Sequence, residues 1–136
     1  MAGYSGTPLV RKLGIRPNEK IIVIDAPKNY AHLLEDLPDG ATINNGLTSG
    51  AMFVHLFATQ RAELHERLTT LRAKIADKGM VWVSWPKKSS GVPTDITEDT
   101  IRELALPLGF VDIKVCAVDE TWSGLKLVIR RENRKS

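Results

Sequence analysis

Three short runs are apolar at nearly every position: IIVID (Ile21 to Asp25), MFVHLFA (Met52 to Ala58) and MVWVSW (Met80 to Trp85). Successive side chains of a strand point to opposite faces. A strand apolar at consecutive positions therefore needs cover on both faces, which is the pattern of a central strand between two layers of helix. The segments between these runs supply that cover. Thr7-Pro8 reads as the opening of a short helix over Leu9 to Leu13, with Gly14 closing it. Pro27 begins a second helix, Lys28 to Leu37, stopped by Pro38-Asp39-Gly40. Gln60 to Lys78 carries Leu64, Leu68, Leu71 and Ile75 as an apolar stripe at helical spacing, with Thr59 placed to cap it and Gly79 to end it. A further helix starts near Thr97, with Glu98 and Asp99 suited to its positive N-terminus. It presents Ile101, Leu104 and Leu108, and Pro107 should distort its last turn.

Ala41 to Asn44 is a short strand, and VDIKVCAVD and GLKLVIRR around DETWSG read as an antiparallel hairpin. Strands alternating with helices imply parallel, right-handed crossovers. The expected fold is a three-layer α/β/α, Rossmann-like domain with a mostly parallel sheet and a C-terminal antiparallel hairpin. It fills residues 1–131 as a single domain, and 132–136 form a basic frayed tail.

Charge narrows the partners. The net charge of +3 resides in the tail, where Arg130, Arg131, Arg134 and Lys135 face only Glu132. A neutral body argues against a broad nucleic-acid surface. No apolar run approaches the roughly 20 residues of a membrane span, and the first residues contain no long apolar stretch of the kind found in secretory leaders. A single cysteine, Cys116, excludes an internal disulfide and suits a reducing cytoplasm. His32, His55 and His65 share no ligand spacing, so no metal set is expected. His55 reads as a satisfied core histidine, and Cys116 and Ser84 lack the neighbours of a nucleophile.

LGIRPNEKIIVID, the helix RAELHERLTTLRAKIADKG, the strand MVWVSW and the closing hairpin together resemble the layout of class I S-adenosylmethionine-dependent methyltransferases over about residues 9–131. The chain is also similar along its whole length to a small bacterial family carried as a domain of unknown function. That likeness rests on MAGYSGTPL (Met1 to Leu9), WPKK (Trp85 to Lys88), GVPTD (Gly91 to Asp95) and ETWSGLKLVIR (Glu120 to Arg130). The methyltransferase layout implies a glycine-rich turn after the first strand and an acidic residue ending the second, which holds ribose hydroxyls. Here the turn is Asp25-Ala26-Pro27-Lys28-Asn29-Tyr30, and the second strand ends Asn44-Asn45. Proline removes an N–H, and the absence of glycine leaves the backbone harder to approach. Gly46 to Ala51 is too short for another helix and strand. These residues describe a trimmed relative and count against S-adenosylmethionine in the standard pose. They leave the cofactor open.

In open α/β sheets ligands collect beyond the carboxyl ends of the strands. Asp25 to Tyr30, Ala58 to Arg61 and Trp85 to Asp95 should meet there, with the turn Asp119 to Gly124 near the same rim. The candidate ligand-binding residues are Asp25, Lys28, Trp85, Lys87, Lys88, Ser89, Ser90, Gly91 and Trp122. Lys87 and Lys88 can act as point charges on an anion, and Ser89, Ser90 and the Gly91 N–H as donors in a concavity; the bland reading is a solvated turn. Asp25 can accept a hydroxyl or cap the next helix. Trp85 and Trp122 can stack on a ring or fill the core. The expected function is a non-enzymatic or vestigial methyltransferase-like domain that binds a small anionic ligand or a protein partner at this rim. The alternatives are a small methyltransferase with an atypical cofactor site, and a dimeric interaction module with no ligand.

Overall fold

In the computed structural model, which describes residues 7–134, six strands form one sheet in the order β2-β1-β3-β4-β6-β5. The strands are β1 (Lys20–Ile24), β2 (Thr42–Asn44), β3 (Ala51–Phe57), β4 (Ile75–Pro86), β5 (Phe110–Ala117) and β6 (Trp122–Ile129). The pairs β1–β2, β1–β3 and β3–β4 are parallel, and β4–β6 and β5–β6 are antiparallel. The helices are α1 (Leu9–Leu13), α2 (Tyr30–Leu33), α3 (Arg61–Lys74) and α4 (Glu98–Ala105). This is the expected mixed α/β architecture, parallel except at its C-terminal edge.

The consecutive apolar residues of the central strands divide between two cores. Ile22, Val54, Leu56, Val81 and Val83 face α3 and α4, together with Leu64, Leu68, Leu71 and Ile101. Ile21, Val23, Phe53, Phe57 and Trp82 face the other side, with Leu9, Leu13, Tyr30 and Leu34. Period-two alternation thus serves both layers, and the polar residues buried within these runs, His55 and Ser84, are hydrogen-bonded. Trp82 Nε1 donates to the Leu13 carbonyl at 3.0 Å, so the end of α1 is tied to the sheet centre, where Gly14 takes the left-handed torsion (φ 78°).

Local chemistry moved several boundaries. The expected helix over residues 28–37 is only one turn, Tyr30–Leu33. Asp36 is left-handed (φ 64°), and Pro38 disfavours helix at the residue before it. The helix expected to Lys78 ends at Lys74. Ile75, read as part of the helical stripe, is the first residue of β4 and pairs with Ala51. The register then jumps from Ala51↔Ile75 to Phe53↔Met80, a bulge that contains Gly79. A Cβ at Gly79 would sit 2.8 Å from the Ala51 carbonyl oxygen, so this glycine allows close strand approach rather than ending a helix.

The last helix begins as expected. Thr97 and Thr100 form a reciprocal capping box. Arg102 on α4 engages Glu98, Asp99 and Asp112, joining the helix to β5, and the Asp112 and Glu98 carboxylates push its guanidinium further toward the charged form. Pro107 falls in a 3-10 turn, Leu106–Leu108, that follows α4. At the chain's end Arg131–Asn133 makes another 3-10 turn, and Arg134 Nε donates to the Ile129 carbonyl at 3.0 Å. Residues 1–6, which hold most of the MAGYSGTPL stretch, and 135–136 of the basic tail lie outside the described residues.

Candidate functional site

Beyond the carboxyl end of β4 the chain enters WPKKSSGVPTD. Trp85 is 8% exposed and packs in the core beneath α3 and α4, while Lys88 and Ser89 are exposed. Much of the loop's polarity is turned inward. The Ser90 hydroxyl donates to the Lys87 carbonyl at 2.6 Å and accepts the Val92 N–H, around Gly91 in a left-handed torsion (φ 76°). The Thr94 hydroxyl donates to the Thr59 carbonyl at 2.6 Å, and the Asp95 carboxylate accepts the Arg61 N–H at 2.6 Å. Asp95, not Thr59, therefore satisfies an orphan donor in the first turn of α3, reaching it from a different connection. The loop is thereby braced across the carboxyl end of β3. Lys87 N–H donates to the Thr121 carbonyl at 2.7 Å, so the hairpin turn does reach this rim. Asp119 shapes that turn by accepting the Thr121 and Trp122 N–H groups. Trp122 is half-buried and meets Phe57 edge-on, with ring centroids 5.0 Å apart.

Two strands away, the corner after β1 is open. The chain runs from β1 to β2 on one side and returns to β3 on the other, so the connection order reverses at β1, where α/β sheets form ligand crevices. A groove of about 460 Å³ lies on the α3 face, lined by Val23, Ile24, Asp25, Asn45, Leu47, Arg67 and Thr70. A second, of about 450 Å³, lies on the α2 face and includes Asp25, Tyr30, Ala31, Ile43, Asn44 and Asn45. The two meet at Val23, Asp25 and Asn45. The connection from Asn44 to Ala51 contains no helix, so beside β1 the α3-side core is met by loop residues such as Leu47. The glycine-free corner, read from the sequence as hard for a ligand to approach, is therefore flanked by two grooves. Asp25 itself takes the left-handed torsion (φ 57°) that a glycine would adopt freely.

The Asp25 side chain does not cap α2. Its Oδ2 accepts Arg67 Nη2 at 3.1 Å across the first groove, and both side chains are about half exposed. Lys28 is exposed on the same corner. The structure thus gathers Asp25, with Lys28 nearby, at the β1–β2 end. Trp85 and Lys87 to Gly91 lie past β3, outside the linings of both grooves. The sequence reading missed Arg67, Thr70 and the groove-lining role of Asn45. Arg67 and Thr70 are three apart on α3, flanking the apolar stripe, and that adjacency was legible.

Under the second groove runs a buried polar chain. Tyr30 OH is 2.9 Å from His55 Nδ1, and His55 Nε2 is 2.7 Å from Ser84 Oγ. His55 and Ser84 are fully buried, and Phe57 stacks on the imidazole at 4.4 Å. Burial lowers the His55 pKa to about 3 and pushes the Tyr30 phenol up, so both are neutral at ordinary pH. His55 is the satisfied core histidine expected. The hydroxyl–imidazole pair has nucleophile-like spacing, but its burial keeps a substrate from Ser84. Burial also raises the Cys116 thiol pKa. Among the described residues no group of histidine, cysteine and carboxylate side chains has metal-binding geometry, and no helix is long and apolar enough to cross a membrane.

Solved structures share this fold. An S-adenosylmethionine-dependent methyltransferase from Aquifex aeolicus matches with a TM-score of 0.65 at 9% identity, over 90% of this chain and 88% of that one. The fibrillarin of Aeropyrum pernix, solved with natively bound S-adenosyl-L-methionine, matches at 0.60 and 12% identity, over 93% and 70%. The Methanococcus jannaschii fibrillarin pre-rRNA processing protein matches at 0.53 and 10% identity, over 90% and 69%. At such identities the likeness is one of fold. No curated protein sequence matches the chain. Residues 44–131, about two thirds of the chain, match the model of the family described as "Protein of unknown function (DUF3052)", and the chain belongs to that family.

Proposed function

We propose that this chain is a methyltransferase-fold domain that binds a small anionic ligand at the β1–β2 corner and transfers no methyl group. The observation that carries the reading is the pair of grooves meeting at Asp25 and Asn45, with Arg67 and Thr70 on the wall of one. Their volumes suit a small metabolite. Guanidinium, amide and hydroxyl donors suit an anion, and exposed Lys28 adds positive charge nearby. Asn44-Asn45 offers no carboxylate for ribose hydroxyls at the end of β2. Lys87 and Lys88 form a secondary rim that a larger ligand would reach.

A second reading, a small methyltransferase with an atypical cofactor pose, draws on the same open corner and on the fold likeness. Melting temperature separates the two. The protein is titrated with S-adenosylmethionine, S-adenosylhomocysteine and mononucleotides. A ligand at 100 times its dissociation constant adds ~2.7 kcal/mol. The proposal expects saturable stabilisation by phosphate-bearing ligands and none by S-adenosylmethionine. Saturable stabilisation by S-adenosylmethionine, lost in Asp25→Ala, would overturn the proposal, and methyl transfer to a co-purified substrate, lost on changing Asp25 or Lys87, would establish the second reading.

A further inference from the structure

Two arginines on neighbouring helices are used very differently. Arg102 directs its donors at three carboxylates, Glu98, Asp99 and Asp112, and is committed to the structure. Arg67 spends one nitrogen on one oxygen, Asp25 Oδ2 at 3.1 Å, at the edge of a groove. A guanidinium can present two parallel N–H donors to a carboxylate or phosphate, so this contact uses half of what the fork offers. Side chains exposed to 44% and 45% gain little from a single ion pair. Thr70 follows Arg67 by three residues along α3, and Asn45 lines the same groove.

We infer that Arg67 is the anion anchor of this groove and that Asp25 is its built-in competitor: a small ligand bearing one carboxylate or phosphate binds by taking the guanidinium from Asp25. The inference rests on the groove being the ligand site and names the residue that selects the ligand's charged group. Asp25 is suited to the part because its left-handed backbone presents the carboxylate from a fixed corner. Displacing it breaks one hydrogen bond and allows two.

The test follows the Arg67 Nε–Hε signal and the Asn45 and Thr70 amide signals by NMR, at constant ionic strength set with chloride. Inorganic phosphate and acetate are the two probes, and they report which anion the anchor prefers. Asp25→Asn keeps a residue that accepts left-handed torsion, and Arg67→Gln keeps a good helix former at an exposed site. The expected result is saturable shifts with at least one probe, about threefold tighter binding in Asp25→Asn, and no measurable binding in Arg67→Gln. Equal affinity in Asp25→Asn and the parent protein overturns the competitor role. Groove signals that shift equally in Arg67→Gln remove the anchor while leaving a ligand site at the groove. No shift with either probe in any variant removes the anchor and the anionic-ligand reading together.

Discussion

His55 shows how one buried side chain ties stability to pH. Its folded pKa, about 3, lies below the ordinary value of 6.5. Between these values the unfolded chain binds a proton that the folded chain refuses, so stability is full above pH 6.5 and falls as pH drops. The expected contribution is roughly 1.4 kcal/mol lost per pH unit inside that window. Urea unfolding at pH 7, 6, 5 and 4 measures it, with His55→Gln as the reference that lacks the titration. Equal pH slopes in the two proteins would contradict the burial argument. The sequence made His55 legible as a core residue, because it sits inside an apolar strand. It could not reveal Tyr30 and Ser84 as its partners, since those contacts span 25 and 29 residues.

At the scale of elements, connections do much of the positioning. Asp95 caps α3 from the loop after β4, so that loop and the helix form one unit. Asp95→Ala should cost ~1 kcal/mol, the usual loss for an N-terminal cap. It should also speed hydrogen exchange at Arg61 and across Gly91 to Ile96. Unchanged stability and exchange would show that the loop is held by something other than this cap. Propensity placed the strands, α1 and the start of α4 well, because their signals are local. It misplaced the end of α3. Ile75 continues the helical stripe in sequence, yet pairing with Ala51 and the bulge at Gly79 decide its state. Long-range pairing outweighs a local period there.

For the whole molecule, two-sided strand cover dictated the layered fold, and the link after Asn44 was legible as too short for another helix. What that short link does to the surface needed coordinates: two grooves that meet at Asp25 and Asn45. The candidate site was half legible. Asp25 and Lys28 lie at the predicted rim, while Lys87 to Gly91 belong to a loop in which the Ser90 hydroxyl bonds within the loop and Thr94 and Asp95 brace the β3–α3 connection. No one-dimensional signal distinguishes a loop that offers donors from one that consumes them. The most direct measurement is a map of amide shifts over the described chain during titration with a mononucleotide and, separately, with S-adenosylmethionine. The account predicts saturable nucleotide-induced shifts centred on Asp25, Asn45 and Thr70, with little change for S-adenosylmethionine. Saturable S-adenosylmethionine shifts at that corner, or nucleotide shifts confined to Lys87 to Gly91, would contradict it.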